Sequence, residues 1–241
     1  MADLQEMSGG VDTAELQNRA YQGADEGSGA FSRVQDQEDS IESLEVAYIL
    51  RPQVAMGYLE GLPYVVSLGI REALDRLCAD EMCIGWPYAV VHDTKPLVSL
   101  ETHAGYGKGG IFAVAQLTLP LKALDEGTHA CALLEECRVQ SDLSDRELAA
   151  TLRDEILSAL RGWEQGFSQG GAGPLAPVLN DYFDALDAMG ERVEIRYPNG
   201  CLKAQGRFAG VDVWGRASVV ADDGSEISFS HEEASMRRAQ H

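Results

Sequence analysis

The sequence predicts an α+β protein that ends in a small β-barrel. The segments LEVAYIL (44–50) and IFAVAQLTL (111–119) are rich in apolar and β-branched residues, and the first alternates as a half-buried strand does. Apolar residues recur at helical spacing over 64–78 and again after Ser144. The last fifty residues divide into short strand-like segments separated by P-N-G and D-D-G turns, which is typical of a small barrel.

Length, charge and cysteine usage limit the function. The 241 residues are 45% hydrophobic, enough for one ordinary core and a small second one. A net charge of −20 argues against nucleic acid and anionic membranes, because Lys and Arg dominate phosphate binding. Five cysteines without a C-x-x-C pair predict reduced thiols and no metal site. The N-terminus lacks the apolar core of a signal peptide, and no run of 18 apolar residues occurs, so we expect a cytoplasmic protein.

The N-terminal part predicts one helix and two strands. Residues 1–11 are expected to form a disordered lead-in. The segment DTAELQNRAY that follows has helical spacing, with Asp12 or Thr13 as its N-cap. A turn-rich loop then leads to a short strand, AFSRVQ (30–35), and to the strand LEVAYIL, which an Arg-Pro pair closes.

In the middle of the chain, strands should flank a corner at Trp86-Pro87. The loop GYGKGG (105–110) contains glycines that could cradle a phosphate, but it lacks a G-K-[ST] ending and a following helix. We therefore predict a hairpin turn there.

Further helices are predicted beyond this hairpin. Ser144 and Glu147 form a capping box, which should begin a long amphipathic helix. A glycine hinge (170–174) then precedes a helix over LAPVLNDYFDALDAM (175–189).

Taken together, these segments resemble the biotin protein ligase family, within the biotin/lipoate ligase superfamily. The C-terminal stretch from GERVEIRY to EEASMR is similar to the family's SH3-like barrel. Its pattern is carried by Gly206, Gly210, Val211, Asp212 and Gly215. Upstream, LPYVVSLGIREALDRLC is similar to the family's core helix, and DTAELQNRAYQGADEGSGAFSRVQ to its opening segment. The resemblance extends over about residues 12–237.

This resemblance implies a fold and an activity. Residues 12–188 would form a mixed, largely antiparallel sheet with helices packed on one face, and 189–241 an SH3-like barrel of about five strands. The family joins biotin to ATP, forming biotinyl-5′-AMP, and transfers the acyl group to a lysine of a carrier domain. Biotin, ATP and Mg would then be the ligands if this activity is retained; no cofactor is certain.

One family motif is missing from this chain. The family follows the glutamine that corresponds to Gln35 with a loop, G-R-G-R-R-G, whose amides and guanidinium groups neutralise phosphate. Here the acidic segment 36–45 takes its place, with no Lys or Arg between Val34 and Leu50. Its carboxylates are Asp36, Glu38, Asp39, Glu42 and Glu45. Each carboxylate within about 6 Å of a phosphate would cost roughly 1 kcal/mol or more at intermediate dielectric.

Other motif positions are altered as well. The family's S-T-N is D-T-A here, and its W-P-N-D is W-P-Y-A. The resemblance implies Lys95 as the catalytic lysine, with Val98 in place of a ligand-contacting glycine that its side chain would crowd. The remnants of the biotin site would be Thr13, Gln35, Trp86, Val98 and Ala115.

Each of these residues also has a purely structural interpretation. Lys95 could be a solvated turn lysine, Gln35 an ordinary strand-end amide and Trp86 a core anchor. His92 and His103 lack an acid or Cys partner at metal-ligand spacing, so we do not expect them to bind a metal.

Three functions remain open from the sequence. The first is a pseudoenzyme that lacks biotin adenylation and acts by binding a biotin carboxyl carrier domain, a genuine ligase or itself as a homodimer. The second is an active biotin- or lipoate-type ligase with a rebuilt nucleotide site, where Lys95, Arg33 or Lys108 supplies positive charge. The third is a sensor that keeps an acyl pocket. A DNA-binding regulator is not expected, because no helix-turn-helix pattern precedes Asp12.

Overall fold

The computed structural model describes most of the chain as two β-sheets and four α-helices. The described residues are 3–36, 39–78, 80–125, 127, 129–137, 143–168 and 172–239. No helix in this described part is long and apolar enough to cross a membrane.

Seven strands form the first sheet. They are β1 (Leu4–Glu6), β2 (Gly29–Asp36), β3 (Ile41–Leu50), β4 (Cys83–Gly85), β5 (Ala89–His92), β6 (Lys95–Gly107) and β7 (Gly110–Ala123). Their order is β1-β2-β3-β7-β6-β5-β4, and every neighbouring pair is antiparallel except β1 with β2. This confirms a mixed, largely antiparallel sheet. The prediction of a disordered lead-in is wrong for Leu4–Glu6, because these residues pair with Gly29, Ala30 and Phe31 at the sheet edge.

The central strand β3 is buried on both faces, so the prediction of a half-buried strand over 44–50 is wrong. Alternate side chains point to opposite sides of a strand. Tyr48 and Leu50 therefore join the large core on one face, whereas Ala47 and Ile49 join a smaller core on the other.

The helices lie on both faces of this sheet, so the prediction of helices on one face is wrong. They are α1 (Thr13–Gln22), α2 (Leu62–Leu77), α3 (Asp145–Phe167) and α4 (Leu179–Ala185). The long helices α2 and α3 pack on each other over the large core. The short helix α1 covers the opposite face, where Leu16 and Ala20 are buried against β3 and β7.

Helix ends follow local sequence. Asp12 caps α1 by accepting from Glu15 N, and Ser144 with Glu147 forms the predicted capping box of α3. The helix predicted over 175–189 is shorter than expected: a 3-10 turn over Ala176–Val178 precedes α4. The predicted hinge at 170–174 lies partly outside the described residues.

Five strands form the second sheet, in the order β11-β10-β9-β8-β12, with all pairs antiparallel. They are β8 (Arg192–Arg196), β9 (Leu202–Val211), β10 (Ala217–Ala221), β11 (Glu226–Phe229) and β12 (Ser235–Arg238). The five strands are those expected of the C-terminal module, but no pairing of β11 with β12 closes the sheet within the described residues. The predicted boundary near residue 189 falls between α4 and β8, and the large core extends across it to Phe208 and Phe229.

Candidate functional site

The acidic segment spans the hairpin between β2 and β3, at the position that corresponds to the Gly/Arg-rich loop of the biotin protein ligases. Asp36 pairs with Ile41 across the hairpin, and the Asp36 carboxylate accepts from Asp39 N at 3.2 Å. Glu38 lies outside the described residues. Asp36 is the last residue of β2, and Glu42 and Glu45 belong to β3, so three of the five carboxylates are not in a loop.

Glu42 is the centre of an ionic network on the α2/α3 face. It is only 6% exposed, and its carboxylate accepts from Arg33 Nη1 at 2.6 Å and from Gln35 Nε2 at 3.3 Å. Lys122 Nζ lies 3.4 Å away. Burial opposes ionisation of Glu42, but these three donors outweigh it and hold its pKa below the usual range. Glu42 is therefore a paired structural carboxylate.

Arg33 is also occupied by protein carboxylates. Besides Glu42, it forms a forked pair with Asp145 at the start of α3, in which Arg33 Nε donates to Asp145 Oδ2 at 2.9 Å and Nη2 to Oδ1. The hydrogen bonds to Asp145 raise the pKa of Arg33 well above its ordinary value, and Glu42 adds to this effect. A phosphate would have to compete with two carboxylates for this guanidinium group.

Glu45 has a different structural role on the opposite face of the sheet. Its carboxylate accepts from Val11 N at 2.9 Å, and Ser32 on the neighbouring strand accepts from Gly10 N at 3.3 Å. Ser32 Oγ donates to Met7 O at 3.0 Å. These bonds hold the segment before α1 across β2 and β3.

Of the predicted biotin-site residues, Thr13 lies on the α1 face. It is the first residue of α1, and its hydroxyl donates to Gln116 Oε1 of β7 at 2.6 Å. Ala115, the neighbour of Gln116, is fully buried in the large core on the other face. The structure therefore places Thr13 and Ala115 on opposite sides of the sheet.

Val98 and Trp86 are buried in the large core. Val98 is 2% exposed, so its side chain fills the interior. Trp86 packs edge-on against Phe229 with ring centroids 5.3 Å apart, and its Nε1 donates to Gly215 O at 3.0 Å. Both partners belong to the second sheet and its turns, so Trp86 packs where the two sheets meet.

Lys95 is exposed at the first position of β6. Within the described part of the chain it forms no side-chain hydrogen bond and no ion pair. Burial raises the pKa of the nearby Cys131 thiol; Asp39 raises it further, and Lys95 lowers it. Gln35, in contrast, is held by Glu42 on the α2/α3 face. The predicted site residues do not converge on one pocket.

The histidines have partners that the sequence did not reveal. His92 Nε2 lies 3.8 Å from Asp80, and His103 Nε2 lies 3.8 Å from Glu101. Across the described residues, however, no group of three or more His, Cys, Asp or Glu side chains could hold a metal ion.

Arg51, from the Arg-Pro pair after β3, is a helix-capping residue that the sequence analysis did not recognise. Its Nη2 donates to Ala20 O at 2.9 Å and to Ala24 O at 2.6 Å, and Nε also donates to Ala24 O. These carbonyls lie at the C-terminal end of α1, where a cation is favourable. In the sequence, this role was indicated only by the position of Arg51, directly after a strand that packs against α1.

The ionic network also borders a cavity that no sequence pattern indicated. Its volume is about 310 Å³. Five leucines line it together with Arg33, Glu42, Lys122, Glu135 and Asp145: Leu77, Leu121, Leu134, Leu143 and Leu148.

Solved structures of biotin protein ligases share this architecture. The enzyme from Aquifex aeolicus matches with a TM-score of 0.72 over 99% of this chain and 100% of that chain, at 16% identity. An arginine-to-glycine mutant of that enzyme in complex with biotin matches with a TM-score of 0.75. The match covers 98% of this chain and 99% of that chain, at 16% identity. This chain has the fold of the biotin protein ligases. A biotin protein ligase-like protein of unknown function from Silicibacter sp. TM1040 matches with a TM-score of 0.68. The match covers 94% of this chain and 93% of that chain, at 20% identity.

The similarity to the biotin protein ligases lies in the backbone structure and not in the sequence. No protein-family model matches the sequence, and the search of curated proteins finds no match. At 16–20% identity the chemistry has to be judged from the residues themselves. At the β2–β3 hairpin, those residues include carboxylates and an Arg33 that is bonded to Asp145 and Glu42.

Proposed function

We propose that this chain is a biotin-ligase-fold protein that does not adenylate biotin and acts by binding another protein. One observation carries the proposal: the short, acidic β2–β3 connection, together with the two carboxylates that occupy Arg33. Formation of an acyl adenylate brings a carboxylate onto a phosphorus already surrounded by negative oxygens, so it requires positive charge and amide donors in place.

The side chains near the hairpin provide little of this charge. Arg33 pairs with Asp145 and Glu42, and Lys122 lies beside Glu42. Lys108, the other cation considered for a rebuilt site, follows the last residue of β6 and donates to Gln22 of α1. Moving Arg33 to a phosphate would leave Asp145 and the buried Glu42 without this partner, and for a buried carboxylate the loss is costly.

Retention of the ligase fold makes a protein of the same pathway the first partner to test. The family resemblance implies a biotin carboxyl carrier domain, which the ligases modify on a lysine. A genuine ligase and a second copy of this chain are the other candidates.

The decisive experiment is calorimetric titration with a non-hydrolysable biotinyl-AMP analogue, with the Aquifex aeolicus ligase as the positive control. We expect no heat from this chain and no rise of its melting temperature with biotin, ATP or both, because a ligand that binds only the folded state must stabilise it. Binding at about micromolar Kd would contradict the proposal. A second titration with the unbiotinylated carrier domain should produce heat.

The alternative, an active ligase with a rebuilt nucleotide site, rests on Lys95. This lysine is exposed at the first position of β6 and forms no ion pair with a described residue. If the alternative holds, the analogue binds the wild-type chain and Lys95→Ala loses that binding, whereas Lys108→Ala retains it. If the acyl compound alone raises the melting temperature, the chain is a sensor of the acyl group.

A further inference from the structure

Residues near the ends of the two sheets line a common groove. Strand β4 ends the seven-stranded sheet and β12 ends the five-stranded sheet. Between them is a cavity of about 550 Å³, lined on one side by Trp86 and Val91 and on the other by residues 236–239. Val193, behind β12, forms part of the wall. The groove thus combines an apolar wall with a strand edge.

The outer edge of β12 is unpaired in the described part of the chain, because β12 bonds only to β8. Ala239 N donates to Arg192 O at 2.9 Å, so this opposed pair is a hydrogen-bonded one. Hydrogen-bonded and non-hydrogen-bonded pairs alternate along an antiparallel ladder. The backbone N–H and C=O groups of Met236 and Arg238, opposite Ile195 and Val193, therefore point away from β8. They present donors and acceptors to a further strand.

The charges along this edge differ from those of the rest of the chain. Residues 189–241 contain seven Lys and Arg and eight Asp and Glu. Residues 1–188 contain 12 Lys and Arg but 31 Asp and Glu. Arg237 is exposed and forms no ion pair with any described residue, and Arg238 lies 3.0 Å from Asp187. Arg237 is therefore a cation at the rim of the groove that no described carboxylate pairs with.

We propose that an extended, acidic segment of a partner protein adds as a sixth strand to the outer edge of β12. Its backbone would pair with Met236 and Arg238, its alternate apolar side chains would contact Trp86 and Val91, and its carboxylates would pair with Arg237. In strand addition, backbone hydrogen bonds supply affinity and alternate side chains supply specificity. The proposal goes beyond the proposed function, since it holds whether or not adenylation is lost.

The test uses two fluorescein-labelled peptides, one alternating Val and Glu and one alternating Val and Lys, titrated with the full chain by fluorescence anisotropy. We expect saturable binding of the acidic peptide only. Met236→Pro should abolish it, since proline removes an outward-pointing N–H and leaves the bonds of Ser235 and Arg237 to β8 in place. Arg237→Glu should weaken it about tenfold or more, with the effect reduced at high salt.

A matched control variant and three contrary outcomes complete the design. Arg161→Glu makes the same charge change on the exposed surface of α3 and should leave peptide binding unchanged. Unchanged melting temperatures would show that the variants fold. The proposal is overturned if the acidic peptide fails to bind at about millimolar concentration or binds Met236→Pro equally well. It is also overturned if the wild-type chain sediments as a dimer that Met236→Pro dissociates, because a second copy then occupies the edge.

Discussion

The two faces of the seven-stranded sheet differ in what they bury. On the α2/α3 face, aliphatic and aromatic side chains form one continuous core that reaches into the second sheet. On the α1 face, a short helix covers only a small apolar cluster, and polar contacts such as Thr13–Gln116 and Glu45–Val11 take over beyond it. We therefore expect substitutions on the first face to cost more stability than substitutions of the polar residues on the second.

This difference explains how a sequence with 16% identity to the Aquifex aeolicus enzyme keeps the same fold. Packing tolerates exchanges among apolar residues of similar volume. Polar residues at a ligand site are maintained only by the ligand's chemistry. Four predictions test the contrast between the two faces, from the largest expected effect to the smallest.

Trp163 should give the largest loss of stability. This residue of α3 is fully buried in the large core, and its Nε1 donates to Pro174 O at 2.7 Å. Trp163→Ala should lower the free energy of unfolding by about 3–5 kcal/mol, as measured by urea denaturation. Trp163→Phe, which keeps an aromatic ring, should cost less. A loss under about 1 kcal/mol for the alanine variant would mean that this face does not dominate stability.

Glu42 should make stability depend on pH. Its folded-state pKa lies below the ordinary value of 4.5, so its contribution is complete above that value and is lost as the pH falls through the folded-state pKa. Glu42→Gln should lose about 1–2 kcal/mol near pH 7, and the difference from wild type should shrink below about pH 4. Glu45→Gln, on the other face, is the matched control and should lose less. An equal loss at all pH values would show that charge is not the cause.

Thr13→Val should have a smaller effect. The exchange keeps the shape of the side chain and removes the hydroxyl that donates to Gln116. The expected loss is about 1 kcal/mol in thermal or urea unfolding, the usual net worth of one hydrogen bond. Gln116→Leu in the Thr13→Val background should add little, since the two residues act as a pair. A purely additive double variant would contradict this.

Lys95→Ala should change stability least. Its side chain is exposed and makes no ion pair with the described residues, so the free energy of unfolding should stay within about 0.5 kcal/mol of wild type. Chemical denaturation measures this directly. A larger loss would reveal a structural partner for this lysine.

Much of the fold follows from local sequence. The strands around residues 44–50 and 111–119, the helices α2 and α3 and the hairpin at 105–110 were all predicted, because periodicity, caps and turn residues act over a few positions. The capping box of Ser144 and Glu147 is the clearest case. The resemblance to biotin ligases was visible in the same segments, and the solved structures confirm it as a likeness of fold.

Only the tertiary structure decided what the polar residues do. Arg33 meets Asp145 112 positions later, and Thr13 meets Gln116 103 positions later. Such pairs depend on the strand order, which inserts β7 beside β3, and on which face each side chain takes. Glu42 and Glu45 look alike in the acidic segment, yet they point to opposite faces of one strand and bind different partners. The sequence predicted a strand from Leu44 that includes Glu45 but not Glu42; pairing with β2 and β7 extended this strand to Ile41 and determined both roles.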